Sequence, residues 1–394
     1  MNPTVRVGSA FIKKIGLRSV GLGNFPGAST FRDGSRRAKL HCVHDECRAR
    51  RDRHSEYRKG IPMKAHVYRR NGEPTEVLGF EDIAAPAQPG PNDVTVRITK
   101  RMVHPIDDLM VRGYIPSPIS AEGTIPGGDG VGVVEQVGAD VDPATSIKPG
   151  QRVMLFPANG TWSERVVAPA MAVIPVPDDV SDTTACQIAI NGITAIVLMR
   201  AALAASGGAP LLVTAAGSGV GRNLIALAQM HGAKAIALVR SDTGAAILAP
   251  SVPGVAVVSS EHDGWAAKVT AAGGQAPAVA IDPIGGEMTA QLLNVLADGG
   301  TLLTYGGLDP RPSAISTIPL TVRQLTLKGL NAYGWLASTP AQRASDIADL
   351  FELARRAPQN FAEYCEFAFT QATEALAAAH ATPRRGATIL TSET

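Results

Sequence analysis

A glycine-rich segment at residues 211–221 carries the clearest chemical signal in this sequence of 394 residues. An apolar run leads into the glycines, and a helical pattern follows them. At such a strand-to-helix turn, backbone N–H groups can approach a pyrophosphate, and the helix dipole favours its negative charge. Ala216 and Ser218 take the first two positions of the usual G-x-G-x-x-G pattern, and Gly221 takes the third. The context of strand, turn and helix predicts a dinucleotide site.

The residues after the next predicted strand indicate which nucleotide is bound. A site for NAD usually has Asp or Glu here, which binds the ribose hydroxyl groups. This strand, Ala235–Val239, is followed by Arg240 and Ser241. A guanidinium group in place of a carboxylate suits a 2′-phosphate, so the sequence predicts NADPH. Asp242, the next residue, is the one carboxylate that argues against this assignment.

The elements that must position this turn follow from the hydrophobic pattern. Apolar runs of strand length alternate with helical segments over 185–319, which predicts a parallel sheet covered on both faces. Residues 63–184 read as strands and turns, and 320–394 return to a mixed pattern. We therefore predict an α/β protein whose doubly wound parallel sheet is inserted into a β-rich domain. The predicted strands are 94–98, 131–137, 152–156, 211–215, 235–239, 255–258, 278–281, 301–304, 325–327 and 388–390, and the predicted helices include 220–231, 341–356 and 373–379.

Residues 1–62 differ from the rest in charge, since they hold 14 of the 37 Lys and Arg residues but only 5 of the 35 Asp and Glu residues. We interpret them as a basic, disordered extension. A start codon assigned too early, before Met63, is the first explanation, and a transit peptide is the alternative. The segment His41–Cys47 contains two Cys and two His that are close enough for zinc, but no second pair follows at finger spacing.

Composition excludes several classes of function. The chain beyond residue 62 is net acidic, so the basic total does not indicate a nucleic-acid partner. We find no run of about 20 apolar residues free of charge, and we therefore expect no membrane span. Four Cys residues cannot form a disulfide framework, which predicts a reducing, cytoplasmic location.

Short motifs spread over residues 63–390 resemble those of the zinc-free medium-chain dehydrogenase/reductases. The matching segments are 104–108, 126–132, 155–162, 190–195, 211–221, 282–286 and 305–308. The resemblance is strongest to enoyl-thioester reductases of the mitochondrial trans-2-enoyl reductase type and to the related quinone oxidoreductases. It implies a Rossmann domain for NADP(H) at 185–319, a GroES-like catalytic domain formed by 63–184 and 320–394, and a homodimer.

The resemblance to the zinc-free branch depends on missing ligands. Where zinc alcohol dehydrogenases have Gly-His-Glu, this sequence has Gly127, Gly128 and Asp129, and it has no Cys between residues 63 and 184. A catalytic zinc needs three protein ligands and an open position, which His104 and Asp129 do not supply. We therefore predict no metal and interpret His104 as a residue that positions backbone or lines the pocket.

The resemblance also implies which residues contact the cofactor. The pyrophosphate would lie against the glycine turn, the 2′-phosphate beside the residues after the second strand, and the nicotinamide near the start of a long helix and two strand ends. The implied residues are Gly217, Ser218, Gly219, Val220 and Gly221 for pyrophosphate, Arg240 and Ser241 for the 2′-phosphate, and Asn191, Thr194, Tyr305, Gly306, Gly307, Leu308, Leu330, Asn331 and Ala332 towards the nicotinamide.

The reaction that the resemblance implies is NADPH-dependent reduction of an activated C=C bond, with a trans-2-enoyl thioester as the small-molecule substrate. A Tyr hydroxyl can stabilise the enolate and deliver the proton. In the reductases this Tyr stands two residues after a Gly, whereas Tyr114 follows Gly113 directly. Tyr114 is thus the candidate acid, and a packed loop residue is the alternative. An NADPH:quinone oxidoreductase and a non-catalytic NADPH-binding protein remain the other interpretations.

Overall fold

The computed structural model of the chain describes residues 62–116, 118–362, 364–381 and 386–392. The basic N-terminal extension and the His41–Cys47 segment lie outside the described residues. The interpretations of both therefore stay predictions.

The β-rich domain begins the described chain and is rich in Val at alternating positions, which suits half-buried strands. Its first part contains β1 (Pro62–Val67), α1 (Pro74–Val77), β2 (Gly79–Ala84), β3 (Asp93–Met102), α2 (Pro105–Arg112), β4 (Gly130–Val137), β5 (Arg152–Leu155), β6 (Arg165–Pro169) and β7 (Val173–Pro175).

The helices and strands of the α/β domain come next along the chain. This domain contains α3 (Asp182–Ser206), β8 (Leu211–Val213), α4 (Gly219–Met230), β9 (Ala235–Val239), α5 (Asp242–Leu248), β10 (Ala256–Ser259), α6 (Trp265–Gly273), β11 (Val279–Asp282), α7 (Gly286–Val295), β12 (Thr301–Thr304), α8 (Thr317–Val322) and β13 (Thr326–Gly329). The strands form one parallel sheet in the order β10-β9-β8-β11-β12-β13. The prediction of a doubly wound parallel sheet is confirmed.

The end of the chain returns to the β-rich domain through α9 (Pro340–Arg356), β14 (Tyr364–Ala368), α10 (Ala372–His380) and β15 (Ala387–Thr391). β15 pairs antiparallel with β3, so the second sheet runs β14-β15-β3-β4-β5-β7 with β6 also on β3. This return of the chain confirms that the parallel sheet is inserted into the β-rich domain. Short 3-10 helices lie at Pro143–Thr145, Ala170–Ala172, Ala249–Ser251, Ala332–Ala337 and Pro358–Phe361.

Most predicted elements lie within two residues of their observed bounds. The sixth strand of the parallel sheet, β13, lies beyond the predicted limit of that domain at residue 319. The exact division between the two domains stays a prediction, because the connection from β12 through α8 to β13 is continuous with the sheet.

The long helix α3 belongs to both domains. Ser181 caps its N-terminus by accepting a hydrogen bond from the Thr184 N–H. Its apolar side chains share one core with Met102 and Val131 of the β-rich domain and with Val213 and Leu303 of the parallel sheet. By length and composition α3 could cross a membrane, and the expectation of no membrane span therefore stays a prediction. However, 61% of its apolar stretch is buried, as in the core helix of a globular protein.

Candidate active site

The glycine turn is preorganised by local contacts. Ser218 caps α4, and its hydroxyl accepts a hydrogen bond of 3.1 Å from the Gly221 N–H. A Cβ at Gly221 would lie 2.6 Å from the carbonyl oxygen of Ala215, so only glycine lets the helix pack this closely on the strand. The residues that sequence reasoning assigned to the second and third motif positions thus perform the local tasks that the motif requires.

The outer face of this turn is open. Gly217 and Gly219 are exposed, and a Cβ at Gly217 would meet no heavy atom within 4 Å. Val220, the second residue of α4, packs partly against the shared core. An open, glycine-lined helix N-terminus can receive an anion on its free N–H groups, so the residues present fit a pyrophosphate.

Tyr305 packs behind the turn at the end of β12. Burial raises the pKa of its hydroxyl, and the nearby Asp282 carboxylate raises it further. Ser218 lies near enough to oppose this rise, but no hydrogen bond of ordinary geometry reaches the buried hydroxyl from the described residues. Gly306 lies tightly against Pro283, whereas Gly307 and Leu308 are exposed at the carboxyl edge of the sheet.

The end of β9 carries charges of both signs. Arg240 is exposed, and Ser241 caps α5 through a 3.1 Å hydrogen bond to the Gly244 N–H. The Asp242 N–H donates to the Glu261 carboxylate at 2.8 Å, and the Asp242 carboxylate pairs with His262 at 3.2 Å. A 2′-phosphate would therefore meet one guanidinium group beside two carboxylates.

The residues predicted near the nicotinamide lie where α3 meets the two sheets. The Asn191 amide nitrogen is 3.0 Å from the position of a Cβ at Gly219, so helix and glycine turn are in close contact. Thr194 donates its hydroxyl proton to the Ile190 carbonyl at 2.6 Å. Leu330 leaves β13 by donating its N–H to the Thr304 carbonyl, and Asn331 caps the 3-10 helix in which Ala332 is buried. Asn191 thus lies beside the glycine turn and Leu330 beside the end of β12, whereas Thr194 binds within its own helix.

A buried polar pair lies beside α3. The ring Nε2 of His104 is 3.0 and 3.1 Å from the two carboxylate oxygens of Asp129, and both side chains are buried. Asp129 also accepts a 3.1 Å hydrogen bond from the Ile190 N–H in α3. The pair therefore connects the start of α2 to the helix that carries Asn191.

Asp107 lies in the same buried region. Its carboxylate accepts a 2.8 Å hydrogen bond from the His104 N–H and so closes a capping box at the start of α2. Burial raises its pKa to about 6, a nearby His104 opposes this rise, and the Asp129 charge adds to it. Asp107 is therefore a carboxyl group that changes charge near neutral pH.

Comparison with known proteins places the chain in a family. Residues 90–178 match the alcohol dehydrogenase GroES-like domain, and 219–353 match the zinc-binding dehydrogenase family. The human mitochondrial enoyl-[acyl-carrier-protein] reductase is 30% identical over 305 residues, which cover 75% of this chain and 79% of that protein. The chain belongs to the medium-chain dehydrogenase/reductase superfamily.

Solved structures of this superfamily agree with the fold. A quinone oxidoreductase of Pseudomonas syringae pv. tomato is 25% identical, with a TM-score of 0.73 over 84% of this chain and 99% of that one. The Escherichia coli quinone oxidoreductase, solved with NADPH, has a TM-score of 0.73 at 21% identity, over 83% of this chain and 99% of that one, and supports the fold alone. This medium-chain dehydrogenase/reductase is accordingly an oxidoreductase built of a GroES-like and a Rossmann domain.

A catalytic zinc does not fit this member of the superfamily. In the described part of the chain, metal-capable side chains converge in a group of three only at Asp242, Glu261 and His262. That group is exposed at the end of β9, and its residues already bind one another. Beside α3, His104 and Asp129 bind each other through a hydrogen bond. These two side chains alone do not provide the three protein ligands that a catalytic zinc needs.

Tyr114, the predicted proton donor, lies on the surface. Gly113 ends α2 in a left-handed conformation with φ of 84°, and the Tyr114 N–H then donates to the Leu109 carbonyl. The Tyr114 side chain is 69% exposed in the described structure. Its role as the acid stays a prediction, because the loop after it would have to fold over the substrate.

Sequence reasoning missed one aromatic residue at the site. Tyr333 lies in the 3-10 helix directly after the segment predicted to contact nicotinamide, and its ring packs 5.7 Å from that of Phe156. The sequence did show an aromatic residue here, since Tyr333 directly follows Ala332, the last residue of the predicted segment. Its partner Phe156 is 177 positions away, and only the fold brings the two together.

Proposed function

We propose that this protein uses NADPH to reduce the activated C=C bond of a trans-2-enoyl thioester. The observation that supports this most strongly is the 30% identity, over three quarters of the chain, to a mitochondrial enoyl-[acyl-carrier-protein] reductase. The open glycine turn with a capped helix behind it is consistent with the cofactor that this reaction needs.

Each end of the cofactor has residues to hold it in this proposal. The turn at Gly217–Gly221 would bind the pyrophosphate, and Arg240 with Ser241 would bind the 2′-phosphate. Asn191 and Thr194, with Leu330–Ala332, would enclose the nicotinamide. When bound, NADPH supplies the hydride that adds to the substrate's Cβ.

The chain itself must bind the thioester, exclude water and supply a proton for Cα. Hydride addition to Cβ places negative charge on the thioester oxygen, and a neutral donor stabilises that charge without needing a metal. Tyr114 is the donor that we predicted, provided its loop can close over the substrate.

A quinone is the second candidate substrate. Similarity to a quinone oxidoreductase over 84% of the chain favours it, and so does the 69% exposure of Tyr114. Quinone reduction can draw its protons from water, so it needs no placed acid.

One panel of steady-state assays tests these functions. We expect NADPH oxidation with crotonyl-CoA and with a longer trans-2-enoyl-CoA to exceed that with 1,4-benzoquinone in kcat/KM. A reversed order would establish the quinone reductase instead. Cofactor binding without turnover of any of these acceptors would point to a non-catalytic binding protein.

We also propose a homodimer located in the cytoplasm. β13 is an exposed edge strand, and the apolar Leu327, Ile318 and Val322 near it are at least 41% exposed. Cys186 is a buried free thiol, as expected in a reducing compartment. Light scattering after gel filtration tests the dimer, and fractionation of the source cells tests the location, where the relatives' mitochondria are the alternative.

A further inference from the structure

The segment that carries Tyr333 is placed at the carboxyl edge of the parallel sheet. β13 ends at Gly329, and the next N–H, that of Leu330, donates to the Thr304 carbonyl at 2.8 Å. Asn331 then caps the 3-10 helix by accepting a 3.2 Å hydrogen bond from the Gly334 N–H. Tyr333 is therefore held in the first turn after the strand, at the edge where ligands bind in such sheets.

A buried polar network fixes the other side of this turn. The indole N–H of Trp335 donates to the Asp346 carboxylate at 2.9 Å, and Trp335 is fully buried. Arg200 from α3 and Gln342 from α9 donate to the same carboxylate at 2.9 Å each. Such a satisfied network resists displacement, so the backbone on both sides of Tyr333 is anchored.

The Tyr333 side chain extends from the edge of the parallel sheet towards the strands of the β-rich domain. Its ring lies against Phe156 at the end of β5, and 48% of the residue is exposed. The carboxylates of Asp107 and Asp129 lie close enough to add to the effect of burial, and both raise the pKa of the Tyr333 hydroxyl. Within the described residues this hydroxyl makes no hydrogen bond, so its proton is available to a ligand.

These features match what the reduction requires of a donor. Hydride addition to Cβ of an enoyl thioester pushes the electrons of the C=C bond onto Cα and the thioester oxygen. A phenol that stays protonated at neutral pH can bind that oxygen and then give its proton to Cα. The O–H bond breaks as the C–H bond forms, and water returns a proton to the phenolate.

We propose that Tyr333 is the group that donates this hydrogen bond and proton to the substrate. The proposal rests on the proposed reduction of an enoyl thioester. It differs from the sequence-based assignment, because Tyr114 follows the C-terminal end of α2, whereas His104, which pairs with Asp129, stands at the N-terminal end of that helix. Tyr333 is preorganised, whereas Tyr114 would have to move.

Three conservative variants test the proposal in the full-length protein: Tyr333→Phe, Tyr114→Phe and the control Tyr364→Phe, whose ring is exposed on the edge strand β14. We expect Tyr333→Phe to lower kcat for crotonyl-CoA by about 10²–10⁴-fold, the usual contribution of a general acid. KM for NADPH and the rate with 1,4-benzoquinone should stay within about threefold, because neither depends on protonation of Cα.

A binding measurement gives a readout that does not depend on turnover. Butyryl-CoA with NADP⁺ forms the product complex, whose back reaction is strongly unfavourable, and loss of one hydrogen bond should weaken it by about 2–12-fold in Tyr333→Phe. Equal losses with crotonyl-CoA and benzoquinone would show a merely structural role and overturn the proposal. A large loss in Tyr114→Phe with none in Tyr333→Phe would overturn it in favour of Tyr114.

Failure of the underlying function has a different signature. Wild-type protein that oxidises NADPH with no enoyl-CoA overturns the proposed function and this role together. Wild-type enoyl reduction that Tyr333→Phe leaves undiminished overturns the role of Tyr333 alone.

Discussion

The two ends of the proposed active site, one for the pyrophosphate and one for the chemistry, differ in how the chain builds them. The pyrophosphate end is formed by eleven consecutive residues, 211–221. In them a strand leads through a turn into a helix that Ser218 caps. The chemical end draws on His104, Asp129, Phe156, Asn191 and Tyr333, which come from five separate segments of the chain. The first end is a property of a motif, and the second is a property of the whole fold.

This difference has an energetic counterpart. The glycine turn needs only small residues and one capping hydroxyl, and its binding groups are backbone N–H groups that any sequence provides. The chemical end relies on buried polar side chains, each of which must find a partner in another element. Substitutions at the pyrophosphate end should therefore lower the affinity for the cofactor. Substitutions at the chemical end should lower the stability of the fold or the rate of the reaction.

The largest expected effect is a loss of stability on replacing a buried arginine of the β-rich domain. Arg101 is fully buried in β3, and its guanidinium donates to the Thr161 and Ser163 carbonyls at 2.9 and 2.8 Å. Burial lowers its pKa to about 9. Arg101→Met leaves these two buried carbonyls without donors and, at about 1–3 kcal/mol for each, should lower the free energy of unfolding by about 2–6 kcal/mol.

Chemical denaturation followed by circular dichroism measures this loss. The matched control is Arg97→Met on the same strand, where an exposed guanidinium lies 3.8 Å from Glu135. Such a surface pair contributes less than about 1 kcal/mol. Equal losses in the two variants would contradict our account of the buried cluster.

The next effect concerns the pyrophosphate end. In Gly221→Val the added side chain would collide with the backbone of Ala215 and Ala216, which a flexible neighbour cannot relieve. We expect the shift of α4 to weaken NADPH binding by at least about 100-fold, comparable with the loss of two charge-assisted hydrogen bonds. Fluorescence titration with NADPH measures it, and an affinity within threefold of wild type would show that the turn does not hold the cofactor.

A smaller effect is the pH dependence that Asp107 gives to the free energy of unfolding. Its pKa of about 6 in the folded protein lies above the value of 3.8 for an unperturbed Asp. Its contribution to stability is therefore present below about pH 4 and is lost as pH rises through about 6. Asp107→Asn removes this loss and should raise the unfolding free energy at pH 8 by about 2–3 kcal/mol relative to wild type.

Urea denaturation at pH 4 and pH 8 tests this sign. The amide oxygen of Asn can still accept the His104 N–H, so the cap persists. The exposed Asp140→Asn serves as the control and should show no such difference between the two pH values. A variant that is less stable than wild type at pH 8 would mean that the ionised carboxylate stabilises the fold.

The smallest expected effect concerns the choice between NADPH and NADH. Arg240→Ala should weaken NADPH binding by about tenfold, the contribution of one charge-assisted hydrogen bond, and leave NADH binding unchanged. Arg355→Ala, which removes an exposed arginine paired with Asp179, is the control. Equal weakening of both cofactors would show that Arg240 does not contact the 2′-phosphate.

The sequence predicted the locally encoded features well. The bounds of β9 and β12 agree with the prediction to the residue, because each is a continuous apolar run between polar breaks. Spacing alone also assigned Ser218 and Gly221 to the second and third positions of the glycine motif. The structure adds their local tasks, a helix cap formed by Ser218 and the close approach of Gly221 to Ala215.

The rest depended on contacts between distant segments. No pattern near Tyr333 reveals Phe156 or Asp107, and no pattern near Trp335 reveals its bond to Asp346. The composition of α3 alone does not separate a core helix from a membrane-spanning one. α3 is apolar on all sides because both domains cover it, and such a helix has the composition of a spanning one.

The shared core around α3 also bears on how the protein melts. Independent melting of the two lobes would require each to keep its own apolar interior, yet this helix supplies the interior of both. Unfolding of one domain would expose to water the apolar side chains that it covers in the other. Heating should therefore give a single cooperative transition, and calorimetry should find no intermediate with one lobe intact.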